Sequence, residues 1–238
     1  MEKNIFEIGL ETGSDKIHHH GYHHFYCHIL EFLRSQKFNM LEIGMDRRYS
    51  LNLWLSYFSK AYIYGIDINY EHKDPLNPRC RIFQCDQNDI DKMHFLLKDV
   101  NSFKLIIDDG SHVPEMQLSS FNYLFNFKLE NGGIYIIEDI ETSYWSNGEV
   151  YGNIIKSGYK NKNSCVEVFK YLVDIVNSEF LLNNAKEDIN TFLDGRIFEE
   201  TYRKISTITF GHNCIIIRKK EIDEYHYCDR KYRFSQNL

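Results

Sequence analysis

Five short apolar runs punctuate the chain, each closing on an acidic or small residue: Asn39–Gly44, Tyr62–Asp67, Arg81–Cys85, Phe103–Asp108 and Gly133–Glu138. They are too short for helices, and several are apolar on both faces, which suits buried parallel strands. Between them, residues 51–57, 90–97 and 116–127 carry apolar residues at helical spacing. The alternation predicts βαβ units and a parallel sheet. Ahead of the first run, the spacing predicts a helix over 22–36 with Phe25, Ile29, Phe32 and Leu33 as its apolar stripe. After the fifth run, residues 142–158 are irregular and rich in aromatics, Gly and Asn, and read as a lid. A helix is expected over 164–180. The chain then shows a hairpin pattern, Ile205–Phe210 and Cys214–Arg218 about a turn at Gly211–Asn213. The expected fold is α/β and Rossmann-like: a mostly parallel seven-stranded sheet with a C-terminal antiparallel hairpin and helices on both faces. It forms one domain over 1–238, with 1–38 as a helical lead-in and 142–200 as the lid and acceptor region.

Composition narrows the function. Hydrophobic residues make up 43% and charged residues 26% of the 238, as in an ordinary soluble domain. The formal net charge of -6 disfavours a nucleic-acid partner. The basic run Arg218–Lys220 is met at once by Glu221, Asp223 and Glu224. No stretch approaches the ~20 apolar residues of a membrane span, and the start lacks the apolar core of a secretory signal. Cysteines 27, 80, 85, 165, 214 and 228 form no CxxC pair and read as reduced thiols of a cytoplasmic protein.

The strand ends carry the candidate chemistry. The turn after the first strand of a Rossmann-like sheet approaches a cofactor closely, and Gly44 permits this. Glu42 and Ser50 bracket that turn and are counted with it. The GxGxxG fingerprint is absent, which disfavours a dinucleotide; S-adenosylmethionine has no pyrophosphate and does not require it. Asp67 closes the second strand 23 residues after Gly44, a spacing suited to accepting hydrogen bonds from ribose hydroxyls. Asp86 and Gln87 follow the third strand, where they suit an adenine amino group, and Asp108 closes the fourth.

Two acidic motifs are sharper: Ile106–His112, with Asp108, Asp109 and His112, and Ile136–Glu141, with Glu138 and Asp139. Side chains alternate along a strand, so Asp108 and Asp109 should point to different sides. For Glu138 and Asp139 to converge, strand geometry must end there. Asp109, Glu138 and Asp139 would repel one another without a cation, and no Lys or Arg lies beside them in sequence. Oxygen ligands favour Mg²⁺, with Mn²⁺ and Ca²⁺ as alternatives, over zinc. His112 is placed to act as general base on a metal-polarised hydroxyl.

These residues carry a family resemblance. Thr12–Lys16 with Tyr22, Leu41–Gly44, Gly65–Asp67, Ile107–His112 and Ile137–Tyr144 together resemble the metal-dependent sugar O-methyltransferases of macrolide biosynthesis, the macrocin and mycinamicin methyltransferases among them. A related branch resembles cephalosporin hydroxylases and rhamnosyl O-methyltransferases. The resemblance spans about residues 9–146 and implies the class I methyltransferase fold. It also implies S-adenosylmethionine with Lys16 and Tyr22 near its carboxylate, Mg²⁺ on Asp109, Glu138 and Asp139, His112 as base, and a sugar hydroxyl as acceptor. Some members carry a large N-terminal extension, so their oligomeric state and acceptor pocket do not transfer; a homo-oligomer stays open.

His18, His19, His20, His23 and His24 form a dense cluster that favours adventitious metal affinity over a physiological site, with His20, His23 and His24 expected on one helical face. Tyr144–Trp145 suits either packing or stacking on a sugar. Two alternatives to sugar methylation stand beside it. One is methylation of another small acceptor, a phenol or an amine; the other is a non-catalytic binding subunit, which the two intact acidic motifs disfavour.

Overall fold

The computed structural model describes residues 2–45, 47–70, 77–177, 187–188, 191–193 and 195–224. Their frame is a seven-stranded sheet of β1 (Asn39–Ile43), β2 (Tyr62–Asp67), β3 (Cys80–Gln84), β4 (Phe103–Asp108), β5 (Leu129–Glu138), β8 (Ile205–Gly211) and β9 (Cys214–Lys219), in the order β3-β2-β1-β4-β5-β9-β8. β3 to β5 along this order are parallel; β9 runs antiparallel to β5, and β8 to β9. The expected parallel sheet with a terminal antiparallel pair is therefore the observed one.

Alternation along the strands divides two apolar layers. Leu41, Ile43, Phe103, Ile106, Tyr135, Ile137, Ile215 and Ile217 face one layer, built with α5 (Ile90–Leu96), α6 (Pro114–Phe127) and α7 (Cys165–Val176). Met40, Ile63, Leu105, Ile107, Ile134, Ile136 and Ile216 face the other, with α1 (Ile5–Thr12), α2 (Asp15–His18), α3 (His23–Ile29) and α4 (Tyr49–Tyr57). Burying strands on both faces explains why the runs read as continuous apolar stretches. The strand order reverses direction between β1 and β4, and such a switch point opens a crevice at the carboxyl ends of the strands.

Four expectations are corrected. The first helix is shorter than 22–36: α3 ends at Ile29 and a 3₁₀ turn, Glu31–Leu33, follows. Its buried stripe is Tyr22, Tyr26, Leu30 and Leu33, whereas Phe32 is exposed. The two tyrosines go inward because their hydroxyls have carboxylate partners there. His20 precedes α3 and so does not share a helical face with His23 and His24. Residues 142–158 are more regular than expected. A 3₁₀ segment, Ile140–Tyr144, is followed by a ribbon of β6 (Gly148–Val150) and β7 (Asn153–Ile155). Finally, the helix expected over 164–180 is seen as α7, ending at Val176; residues 178–180 lie outside the described residues.

Ser164 caps α7 by accepting from the Glu167 amide, and Val168, Phe169 and Leu172 sink into the core. A short α8 (Glu199–Arg203) leads into β8. The five described cysteines are free thiols; Cys228 lies outside the described residues. No helix among the described residues is long and apolar enough to cross a membrane.

Candidate active site

At the switch point the turns after β1 and β4 touch. The Asp109 amide donates to the Ile43 carbonyl at 2.9 Å. Gly44 has φ +84°, and a Cβ there would lie 2.0 Å from the Asp109 carbonyl oxygen. Gly44 is thus required by the approach of two backbones, not only by a ligand. This contact sets Asp109 at the mouth of the crevice. β5 ends beside it because Asp139 leaves extended geometry for the left-handed region, at φ 51°, so consecutive Glu138 and Asp139 both turn toward Asp109.

The N-terminal segment supplies the partners of these carboxylates. Lys16, almost wholly buried, places its ammonium 2.5 Å from Asp109 Oδ2, 2.5 Å from Glu138 Oε2 and 3.3 Å from Glu42 Oε1. Tyr26 donates its hydroxyl to Glu138 Oε1. Tyr22 donates to Asp139 Oδ1 at 2.5 Å and accepts from the Asp139 amide. His20 Nδ1 lies 3.3 Å from the same Oδ1. Glu42 is further held by Ser50 and the Trp54 indole of α4.

Burial would lower the Lys16 pKa, but Asp109, Glu138 and Glu42 outweigh it and hold the ammonium well above the ordinary lysine value. Burial pushes Glu138 well up against the pull of Lys16. Burial likewise raises Glu42, against Lys16, and Asp139, where Asp109 adds repulsion. Three carboxylates thus share one ammonium and Asp139 adds a fourth beside them, leaving a site short of positive charge.

His112 lies in the left-handed region at φ 55°, where its carbonyl accepts from the Thr142 hydroxyl at 2.6 Å. An ordinary residue held there is strained and needs such support. Its Nε2 lies 3.7 Å from Asp139 Oδ2, and its Nδ1 is buried without a hydrogen-bond partner. Asp109, His112 and Asp139 each bring a donor atom within 4.8 Å of the others. Two carboxylates beside a surplus of negative charge suit a hard divalent cation, and the imidazole lies within reach of whatever they hold. The β6–β7 turn brings the Tyr151 ring to 5.6 Å from the His112 ring.

The structure brings together most of the residues singled out in the sequence and separates others. Glu138 lies beside Asp109 but outside that three-residue group, its oxygens taken by Lys16 and Tyr26. Asp67 is at the crevice, where it accepts from the Met45 and Asn69 amides. Asp86 is exposed at the end of β3. Asp108 and Gln87 are corrected. Asp108 is fully buried beneath α6, accepting from Gln87, Ser120 and Tyr135, and burial pushes its pKa up to about 6. Gln87 is spent on Asp108, Ser120 and the Ser111 amide. A strand-end acid and the polar residue beside it have paired internally, bracing the Asp109–His112 turn instead of facing a ligand.

Lys16 and Tyr22 reach the carboxylates, a placement the sequence reading did not assign to them. Tyr26, Trp54 and Asn213 were missed, and His20 was seen only as a member of the histidine cluster; Tyr26, one turn after Tyr22, was the most visible of the three. The remaining histidines do not assemble. His18 hydrogen-bonds the Ser14 carbonyl, His23 and His24 pack ring to ring at 4.0 Å, and none of them joins the three-residue donor group among the described residues. Tyr144 is exposed, while Trp145 packs against Gly148.

This sheet order, with its terminal antiparallel pair and acidic switch point, is the class I methyltransferase fold. The MycE methyltransferase of mycinamycin biosynthesis, solved with Mg and SAH, matches it with a TM-score of 0.78 at 26% identity, over 94% of this chain and 56% of that one. The chain is 32% identical over 223 residues to the 8-demethyl-8-alpha-L-rhamnosyl tetracenomycin-C 2'-O-methyltransferase of Streptomyces olivaceus, covering 90% of this chain and 54% of that protein. It is 37% identical over 130 residues to the mycinamicin VI 2''-O-methyltransferase of Micromonospora griseorubida, covering 51% of this chain and 32% of that protein. The chain is a homologue of these sugar O-methyltransferases, and it spans about half their length or less. No family model matches it.

Proposed function

We propose that this chain is an S-adenosylmethionine-dependent O-methyltransferase that works with Mg²⁺ and methylates a sugar hydroxyl. The meeting of Asp109, His112 and Asp139 at the switch point carries this reading; the homologues supply the acceptor class. Asp109 and Asp139 would hold the metal, with Glu138 behind them. When bound, the metal lowers the pKa of a hydroxyl it contacts.

The chain's own groups do the rest. His112 Nε2 takes the proton as the acceptor oxygen receives the methyl group, and the sulfonium leaves as a neutral thioether. The turn at Gly44 and the Asp67 carboxylate, oriented by two amides, would hold the cofactor's ribose, and exposed Asp86 would serve its adenine. Lys16 offsets the carboxylate surplus from beneath. The β6–β7 ribbon, with Tyr151 beside His112, covers the acceptor.

The test is a panel of glycosides and simple phenols with labelled S-adenosylmethionine, with Mg²⁺ or with EDTA. Label is expected on a glycoside hydroxyl only when the metal is present. Transfer to phenols alone would overturn the acceptor class, and transfer undiminished in EDTA would overturn the metal.

A further inference from the structure

Asn213 sits in the two-residue turn between β8 and β9, at φ 59°. Asn tolerates that conformation, and a turn alone would account for it. Its polar atoms point to more. The Asn213 Oδ1 accepts from the Glu141 amide at 2.9 Å. An amide N–H can only donate, so this bond fixes the side-chain orientation and turns Nδ2 toward Asp139. Nδ2 donates to Asp139 Oδ1 at 3.0 Å. The Asn213 carbonyl receives the Ile140 amide and lies 3.2 Å from the Tyr22 hydroxyl. One turn residue therefore grips the three residues that follow β5, Asp139 to Glu141.

The same oxygen, Asp139 Oδ1, also takes the Tyr22 hydroxyl and faces His20. Its partner Oδ2 takes none of these contacts and faces His112 Nε2. We propose that Asn213 is a positioning residue: with Tyr22 it locks Oδ1 of Asp139, so that Oδ2 alone is presented to a divalent cation between Asp109 and His112. The antiparallel hairpin thereby braces the site that the parallel strands build. This rests on the reading of Asp139 as a metal-holding carboxylate. Residues that orient a metal ligand commonly change metal affinity ten- to a hundredfold when removed.

The experiment titrates Mn²⁺ into the full chain by calorimetry, without cofactor or acceptor. Asn213→Gly keeps the left-handed turn and removes only the amide. It should bind Mn²⁺ about tenfold or more weakly, and the Mg²⁺ needed for half-maximal transfer should rise in step while the KM for S-adenosylmethionine holds. Should that variant not fold, Asn213→Asp keeps the turn and an acceptor for Glu141 but replaces the donor with a like charge; it too should bind Mn²⁺ more weakly. Mn²⁺ affinity within twofold of wild type in a folded variant overturns the positioning role alone. Failure of the wild-type chain to bind Mn²⁺ overturns both this role and the metal in the proposed function.

Discussion

The ammonium of Lys16 and the carboxylate of Glu138 meet at 2.5 Å although 122 positions separate them in the chain. Both are buried, and Asp109 and Glu42 converge on the same ammonium. Lys16 is the one positive side chain the described structure places among these carboxylates. It is therefore a structural counter-ion whatever else it touches.

Replacing Lys16 with Met should leave Glu42, Asp109 and Glu138 crowded and uncompensated. Breaking a buried pair in this way costs roughly 3–5 kcal/mol. Glu42 and Glu138, already raised by burial, would rise further in the variant and take up protons on folding. Its stability should therefore recover as pH falls. Urea unfolding at pH 7.5 and 5.5 checks this: an equal deficit at both values would show that lost packing, not charge, is responsible.

His112→Ala should lower turnover by ~10²–10⁴, the usual worth of a general base, with Mn²⁺ and S-adenosylmethionine binding nearly intact. Single-turnover rates beside calorimetric titrations separate the roles. If Mn²⁺ binding disappears with the imidazole, His112 is a ligand instead of the base.

Gly44→Ala should be costly for a backbone reason. The new methyl would meet the Asp109 carbonyl at 2.0 Å, and φ +84° is unfavourable for Ala. Neither strain can be relieved by rotating a side chain. A loss of roughly 2 kcal/mol or more is expected, with weaker Mn²⁺ binding because Asp109 is displaced. A folded variant with unchanged affinity would show that the β1 and β4 turns can separate freely.

Asp108 gives a pH signature. Its carboxyl is pushed up to about 6 by burial, above the ~3.9 of an unfolded Asp. The folded state thus binds the extra proton between those values, so this group's contribution to stability is full below pH 4 and declines as pH rises toward 6. The difference amounts to roughly 3 kcal/mol. Asp108→Asn should remove this slope from the stability–pH curve; a slope unchanged in the variant would assign it to Glu138, Glu42 or Asp139.

The fold was legible because each buried strand announces itself locally: Tyr62–Asp67 and Phe103–Asp108 begin and end where their apolar runs do. The acidic motifs were legible for the same reason, since Asp109 and His112, or Glu138 and Asp139, are near neighbours in the chain. What organises them was not. Lys16, Tyr22, Tyr26 and Asn213 reach the site from 74 to 122 positions away, and an inward tyrosine or a turn asparagine looks ordinary until its partner is known. Asp108 misled because a strand-end acid beside a glycine turn has the same sequence pattern whether it faces a ligand or a Ser120 hydroxyl.

The bond from Tyr22 to the Asn213 carbonyl spans 191 positions, which has a consequence for how the protein is made. At roughly 5–20 residues per second, the ribosome delivers Tyr22 some ten to forty seconds before Asn213. Lys16, Tyr22 and Tyr26 must wait in water through that interval, since Glu138 and Asp139 emerge late and the hairpin that grips Asp139 later still. The segment that carries Lys16, Tyr22 and Tyr26 is thus among the last to settle. Slow-downs of translation over 138–213 should lengthen the period in which a nascent chain carries its sheet but not its site.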